Sequence, residues 1–136
     1  MDCIFCKIIK GEIPGYTVYE DDCVLAFLDI SQNTKGHTLV IPKVHKETIY
    51  DLDPKTAQTI FSVIPTLSNA LKDAFNPIGL NVISNNQRPY QSVDHFHIHL
   101  LPRYENDGLT IAWQNHQARY DDEDYRMIAD AIKEAL

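Results

Sequence analysis

The sequence predicts an α+β domain: a mostly antiparallel β-sheet with one long helix packed on one face and short helices toward the termini. Three observations predict it. Short β-rich runs follow one another across polar turns, which favours antiparallel neighbours over crossover connections. A single long stretch with apolar residues at three- and four-residue steps separates the first three runs from the last two. With 136 residues and 44% apolar content the chain can build one real core, so residues 1–136 are read as a single domain.

The elements follow in order. Cys3 to Ile9 puts Ile4, Phe5, Ile8 and Ile9 at helical spacing, and Gly11 and Pro14 stop this short opening helix. Thr17 to Glu20 and Cys23 to Asp29 are β-rich runs around Asp21-Asp22, a hairpin pattern in which Cys23 is expected to be a buried apolar residue. Gly36 to Pro42 reads as a third strand after the polar loop Ser31 to Lys35. Asp53-Pro54 is a helix start, an N-cap side chain followed by proline at the first helical position. Ala57, Ile60, Phe61, Ile64, Leu67, Leu71, Ala74 and Phe75 then form one apolar stripe, with Pro65 expected to kink or split the helix. Asn76 to Gly79 ends it, and Leu80 to Ser84 and Val93 to Pro102 read as strands. Tyr125, Ile128, Ile132 and Leu136 make a last amphipathic helix.

Charge and composition exclude several classes of partner. A formal charge of −7 lacks the basic footprint that a nucleic acid or an anionic membrane surface requires, although backbone amides can still hold a small phosphate. Neither a signal peptide nor a membrane span is visible, so the expected location is cytoplasmic. There, three cysteines are not a disulfide framework.

The chemistry is concentrated in His95-Phe96-His97-Ile98-His99-Leu100-Leu101. On an extended strand the three histidines share one face, and Phe96, Ile98 and Leu100 share the other. The apolar face is core. The histidine face either chelates zinc with an open fourth position or supplies a nucleophile with hydrogen-bonding neighbours near neutral pH. Elsewhere, Cys3 and Cys6 lie one helical turn apart, and with His37 and His45 they make up a complete donor set for a closed tetrahedral zinc site. Asn85 to Ser92, with no apolar period, reads as a loop that brings polar groups to the histidine strand.

These residues resemble the histidine-triad (HIT) superfamily, whose signature alternates three histidines with apolar residues. The likeness extends in order through Cys3 to Ile9, Gly11 to Pro14, Ala26 to Ile30, Gly36 to Lys43, His45 and Gln91 to Val93, and is closest to the Hint-like branch. It implies a HIT-like fold and a nucleotidyl hydrolase or transferase acting on nucleoside phosphoramidates or dinucleoside polyphosphates. By the same resemblance His97 is the nucleophile, His99 contacts the α-phosphate, and Ser92 and Gln91 lie beside the phosphate and leaving group. Asp29 accepts hydrogen bonds from the ribose hydroxyls, Phe5, Phe27 and Ile30 wall the base, and Asn85 best matches the asparagine ahead of the phosphate loop, with Asn86 as the less favoured register. Cys3, Cys6, His45 and His95 match the ligands of a structural zinc ion, which leaves His37 to orient an imidazole. The resemblance further implies a homodimer and a purine nucleotide as the small-molecule partner. Gln87-Arg88-Pro89-Tyr90 departs from the pattern by being shorter and lacking glycine, with Arg88 available to reach a phosphate or an acidic leaving group. The alternatives are a purine nucleotide-binding regulatory protein with little activity and a zinc hydrolase using all three triad histidines as ligands.

Overall fold

In the computed structural model, which describes residues 2–136, five strands form one antiparallel sheet. They are β1 (Thr17–Glu20), β2 (Val24–Leu28), β3 (Thr38–Pro42), β4 (Gly79–Ile83) and β5 (Ile98–Arg103), in the spatial order β1-β2-β3-β5-β4. The helices are α1 (Ile4–Ile9), α2 (Pro54–Phe75) and α3 (Asp122–Ala135).

Both faces of the central strands are covered, which explains their unbroken burial. Val24, Ala26, Val40, Ile98 and Leu100 point to one side and pack with Ile60, Ile64 and Leu67 of α2. The alternate residues Leu25, Phe27, Leu39 and Ile41 point to the other and pack with Cys3 and Phe5 of the α1 segment. At about 25 cal/mol per Å² of apolar surface removed from water, these two layers supply the main driving force for folding. The helix starts where its sequence says, because Asp53 accepts from the Thr56 amide, and it ends at Asn76 in the left-handed region with φ 49°.

Several sequence expectations need correcting. Pro65 lies inside an unbroken α2, which rules out the split, one of the two outcomes expected of it. Phe61 belongs to the periodic stripe but is half exposed, on the rim of the buried face. The histidine strand begins only at Ile98; before it the His95 amide bonds back to the Val93 carbonyl and the Phe96 amide goes to Lys46, so Val93–His97 lies outside the ladder. Even so, Phe96, Ile98 and Leu100 all pack on the α2 side while His97 and His99 face a cavity on the other, so the alternation of faces persists, although His95 and His97 are themselves buried. Cys23 is exposed, because it sits in the turn between β1 and β2 that the Asp21 carboxylate closes by accepting from the Cys23 and Val24 amides. No helix is long and apolar enough to cross a membrane among the described residues.

Candidate active site and metal centre

Antiparallel pairing decides which histidines meet. Leu39 of β3 lies opposite His99 of β5, so His37, just before β3, comes beside His99, and His45, beyond its far end, comes beside His95. The ring centroids are 5.1 Å apart in the first pair and 4.9 Å in the second. His97 stands between them, its ring 5.0 Å from that of His99.

At the His95 end, Cys3, Cys6, His45 and His95 bring four donor atoms within 4.8 Å of one another. His95 Nδ1 lies 3.4 Å from Cys3 Sγ, 3.6 Å from Cys6 Sγ and 3.2 Å from His45 Nδ1. Bonds of about 2.0–2.3 Å at tetrahedral angles demand donor separations of roughly 3.3 to 3.8 Å, so the set is close to the right size for zinc. The His95 proton agrees: Nε2–H donates to the Pro42 carbonyl at 2.8 Å, which leaves the Nδ1 lone pair facing the two sulfurs. Burial pushes the Cys6 thiol above its ordinary range, with Cys3 adding to the effect. A bound cation would reverse that shift by favouring the thiolate. His37, the other histidine of the sequence-derived ligand set, is not in this cluster.

His97 is buried, and its Nδ1 lies 2.7 Å from the His95 carbonyl oxygen. A carbonyl only accepts, so Nδ1 carries the proton and Nε2 the lone pair. The Phe5 ring stands edge-on to His97 at 5.2 Å and holds the imidazole upright. Burial lowers the His97 pKa, opposed by the His95 carbonyl and by Asp29, so the ring stays neutral near pH 7.

His97 opens on a cavity of about 270 Å³ walled by Phe5, Phe27 and Ile30, with Asp29, Ser92 and His99 as polar contributors. Ile4, Ile8, Tyr16, Leu39 and Val93 line it too; the sequence marked none of them as site residues, and only the helical spacing of Ile4 and Ile8 hinted that α1 has a face to offer. Asp29 sits at the end of β2 with Oδ1 held by the Ser31 amide (2.8 Å) and hydroxyl (2.6 Å). Burial raises its pKa, but the Ser31 hydrogen bonds and the nearby His37 and His99 outweigh that, and the carboxyl ends below its ordinary value. It is therefore an ionised acceptor beside an apolar slot.

Asp29, His37 and His99 also converge closely enough to suggest a second metal site, but the proton positions argue against one. His37 Nδ1 faces the Asn33 backbone N–H at 3.4 Å, so its proton belongs on Nε2, and Nε2–H donates to His99 Nδ1 at 2.9 Å. A protonated nitrogen cannot ligate.

Two sequence-matched residues, Gln91 and Asn85, do not line the cavity, and neither does Arg88 of the divergent loop. Gln91 is buried, and its amide is spent on the backbone: Nε2 donates to the Glu47 and Val93 carbonyls and Oε1 accepts from the Gln87 amide. It braces the loop beneath Ser92 instead of lining the cavity. Asn85 does not line the cavity either. Arg88 points away, paired with Asp94 at 3.1 Å on the surface, beside a neighbouring cavity of about 370 Å³ that shares Ser92 and Val93. The glycine-free loop makes its turn through Gln87, at φ 72°.

Residues 10–106 match the HIT domain model. The chain belongs to the HIT family. Within it, the chain sits in the Hint-like branch, and the family fold extends over its whole length: a crystal structure of a HIT family member from Bacillus subtilis superposes with a TM-score of 0.98 at 49% identity, covering 100% of this chain and 98% of that one. The adenosine 5'-monophosphoramidase of Schizosaccharomyces pombe is 40% identical over 118 residues, 85% of this chain and 86% of its own. A zinc-bound histidine-triad protein from Mycobacterium smegmatis superposes with a TM-score of 0.76 at 31% identity, covering 100% and 99% of the two chains. In HIT-family terms, the triad is His95, His97 and His99.

Proposed function

We propose that this HIT protein hydrolyses nucleoside phosphoramidates or dinucleoside polyphosphates through a nucleotidyl-histidine intermediate on His97. The observation that carries the reading is the 2.7 Å bond from His97 Nδ1–H to the His95 carbonyl, which leaves the Nε2 lone pair on the cavity side of a neutral ring. A purine nucleoside in the apolar slot, its ribose hydroxyls on Asp29, brings the α-phosphorus toward Nε2. Attack forms an N–P bond as the bond to the leaving amine or phosphate breaks; water then cleaves the N–P bond, releasing the nucleoside monophosphate and restoring His97. His99 and Ser92 donate to the phosphate oxygens, where charge accumulates. Relationship to a monophosphoramidase supports the phosphoramidate as the better substrate.

Zinc has a structural part in this reading. Cys3, Cys6, His45 and His95 would hold it, tying α1 to the histidine segment and so stiffening the wall that carries Phe5. The protein is read as a cytoplasmic homodimer: Phe61 on α2 and Ile78 and Val82 at the free edge strand are exposed, apolar surface that a second copy would cover. Light scattering should then give about 31 kDa, twice the 15.6 kDa chain, and a clean monomer at micromolar concentration would reject the pairing.

A second reading, a purine nucleotide binder with little turnover, draws on the phosphate loop, which turns through Gln87 where glycine would let backbone amides approach more closely. Rapid quench during turnover of a labelled adenosine phosphoramidate separates the two. The hydrolase accumulates an adenylyl-histidine that is stable in base and labile in acid, whereas the binder retains nucleotide without covalent label.

A further inference from the structure

Asn33 lies in the polar loop between β2 and β3, outside the cavity, yet it holds the far end of the His37–His99 pair. Its backbone N–H (3.4 Å) and its side-chain Nδ2 (3.3 Å) both approach His37 Nδ1. The same Nδ2 donates to Ser31 Oγ at 3.0 Å, and that hydroxyl donates to Asp29 Oδ1 at 2.6 Å. The orientation of the amide follows from the far end of the chain: a carboxylate only accepts, so Ser31 must give its proton to Asp29 and take one from Asn33. The backbone N–H has no other sense available to it.

A buried imidazole nitrogen met by two donors must keep its lone pair. His37 therefore carries its proton on Nε2, and His99 Nδ1 at 2.9 Å accepts it. The His99 proton is then on Nε2, which has no partner among the described residues, on a ring that lines the nucleotide cavity. We propose that Asn33 is a positioning residue that sets the proton order of the His37–His99 pair, so that His99 offers an N–H and not a lone pair to an anionic oxygen in the cavity. The Ser31 branch couples this to the ribose carboxylate, since one amide steadies both Asp29 and His37. Reversal of the order would aim a lone pair at the phosphate and remove a donor in the transition state. The consequence for catalysis rests on the nucleotidyl-hydrolase reading; the proton order itself does not.

Histidine-selective ¹⁵N labelling and long-range ¹H–¹⁵N correlation of the zinc-loaded protein at pH 7 test the order directly. Both His37 and His99 should show the Nε2–H form; an Nδ1–H signature on either ring overturns the proposal in the wild-type protein, with or without measurable turnover. Asn33→Asp replaces a donor by an acceptor and should move the His37 proton to Nδ1 or charge the ring, lowering kcat about tenfold or more with KM changed less than about threefold. Asn33→Ala keeps the backbone N–H and should retain the wild-type proton order with only a few-fold loss in kcat, roughly half the effect on a logarithmic scale. An Asn33→Asp protein with wild-type proton order and wild-type kcat overturns the proposal. Should the wild type show no phosphoramidase turnover, the hydrolase reading fails and the spectrum still decides the role of Asn33.

Discussion

The two ends of the histidine segment use the same residue type in opposite senses. Around His95 a backbone carbonyl accepts from Nε2–H, which leaves the Nδ1 lone pair facing two sulfurs. Around His99, the Nδ1 atom accepts from His37, and Asn33 holds that partner's far nitrogen as an acceptor. On the proposed reading, one imidazole is prepared for a cation, the other for an anion. What separates them is the hydrogen bond made on the side away from the ligand, and one two-residue step along the chain divides the candidate metal end from the proposed nucleophile.

The sharpest way to break this comparison is to remove the residue between the two ends. His97→Ala should abolish essentially all turnover while leaving zinc content and fold intact; a variant retaining more than about a hundredth of wild-type kcat/KM, a loss of under roughly 3 kcal/mol in transition-state stabilisation, would show that His97 is not the nucleophile. The metal end should respond differently. Chelation of zinc, or Cys3→Ser, should lower the melting temperature by about 10 °C, since binding energy is folding energy at a closed site. Metal analysis should find one zinc per chain, with none in His95→Ala. At the other end, Asp29→Asn should raise KM for a ribonucleotide substrate about tenfold, or roughly 1.4 kcal/mol, and much less for a substrate without the ribose diol.

A smaller effect separates the ends by pH. Burial lowers the pKa of His99 to about 4, and that of His37 falls for the same reason, against values near 6.5 when exposed. The unfolded chain therefore takes up protons before the folded one does. Stability should be level above about pH 6.5 and decline as the pH falls toward about 4, because the folded state resists charging these rings. Thermal melts of zinc-loaded protein from pH 8 to 5 check this. A melting temperature that rises on acidification would mean that the pair is protonated in the folded state.

Much of this was legible in the chain, for identifiable reasons. Alternation of His95, His97 and His99 with Phe96, Ile98 and Leu100 needs only the period of an extended chain, and the cap at Asp53 is local chemistry. Which outlying histidine serves which end depends on the antiparallel register of β3 and β5, a long-range fact; the choice of His95 over His37 as a zinc ligand came from resemblance, not from spacing. Asn33 and Ser31 carried no periodic signal because loop residues act through single hydrogen bonds. Gln91 misled in another way: adjacent to Ser92 in sequence, it turns the opposite way and is sealed under the loop. Cys23 looked apolar from its neighbours, but one position before a strand the chain is still turning.

Gly36 sits at φ +93°, directly before His37, and a Cβ there would meet the Phe75 ring at 3.0 Å and Pro102 at 3.2 Å. The last turn of α2 is thus a rear stop for the residue that orients His99. Displacement of Phe75, by substitution or by a small molecule wedged behind it, would travel to the nucleotide site through the backbone of a single residue. If His97 is the nucleophile, the Phe75 ring is a handle on catalysis reached through Gly36 from behind the sheet.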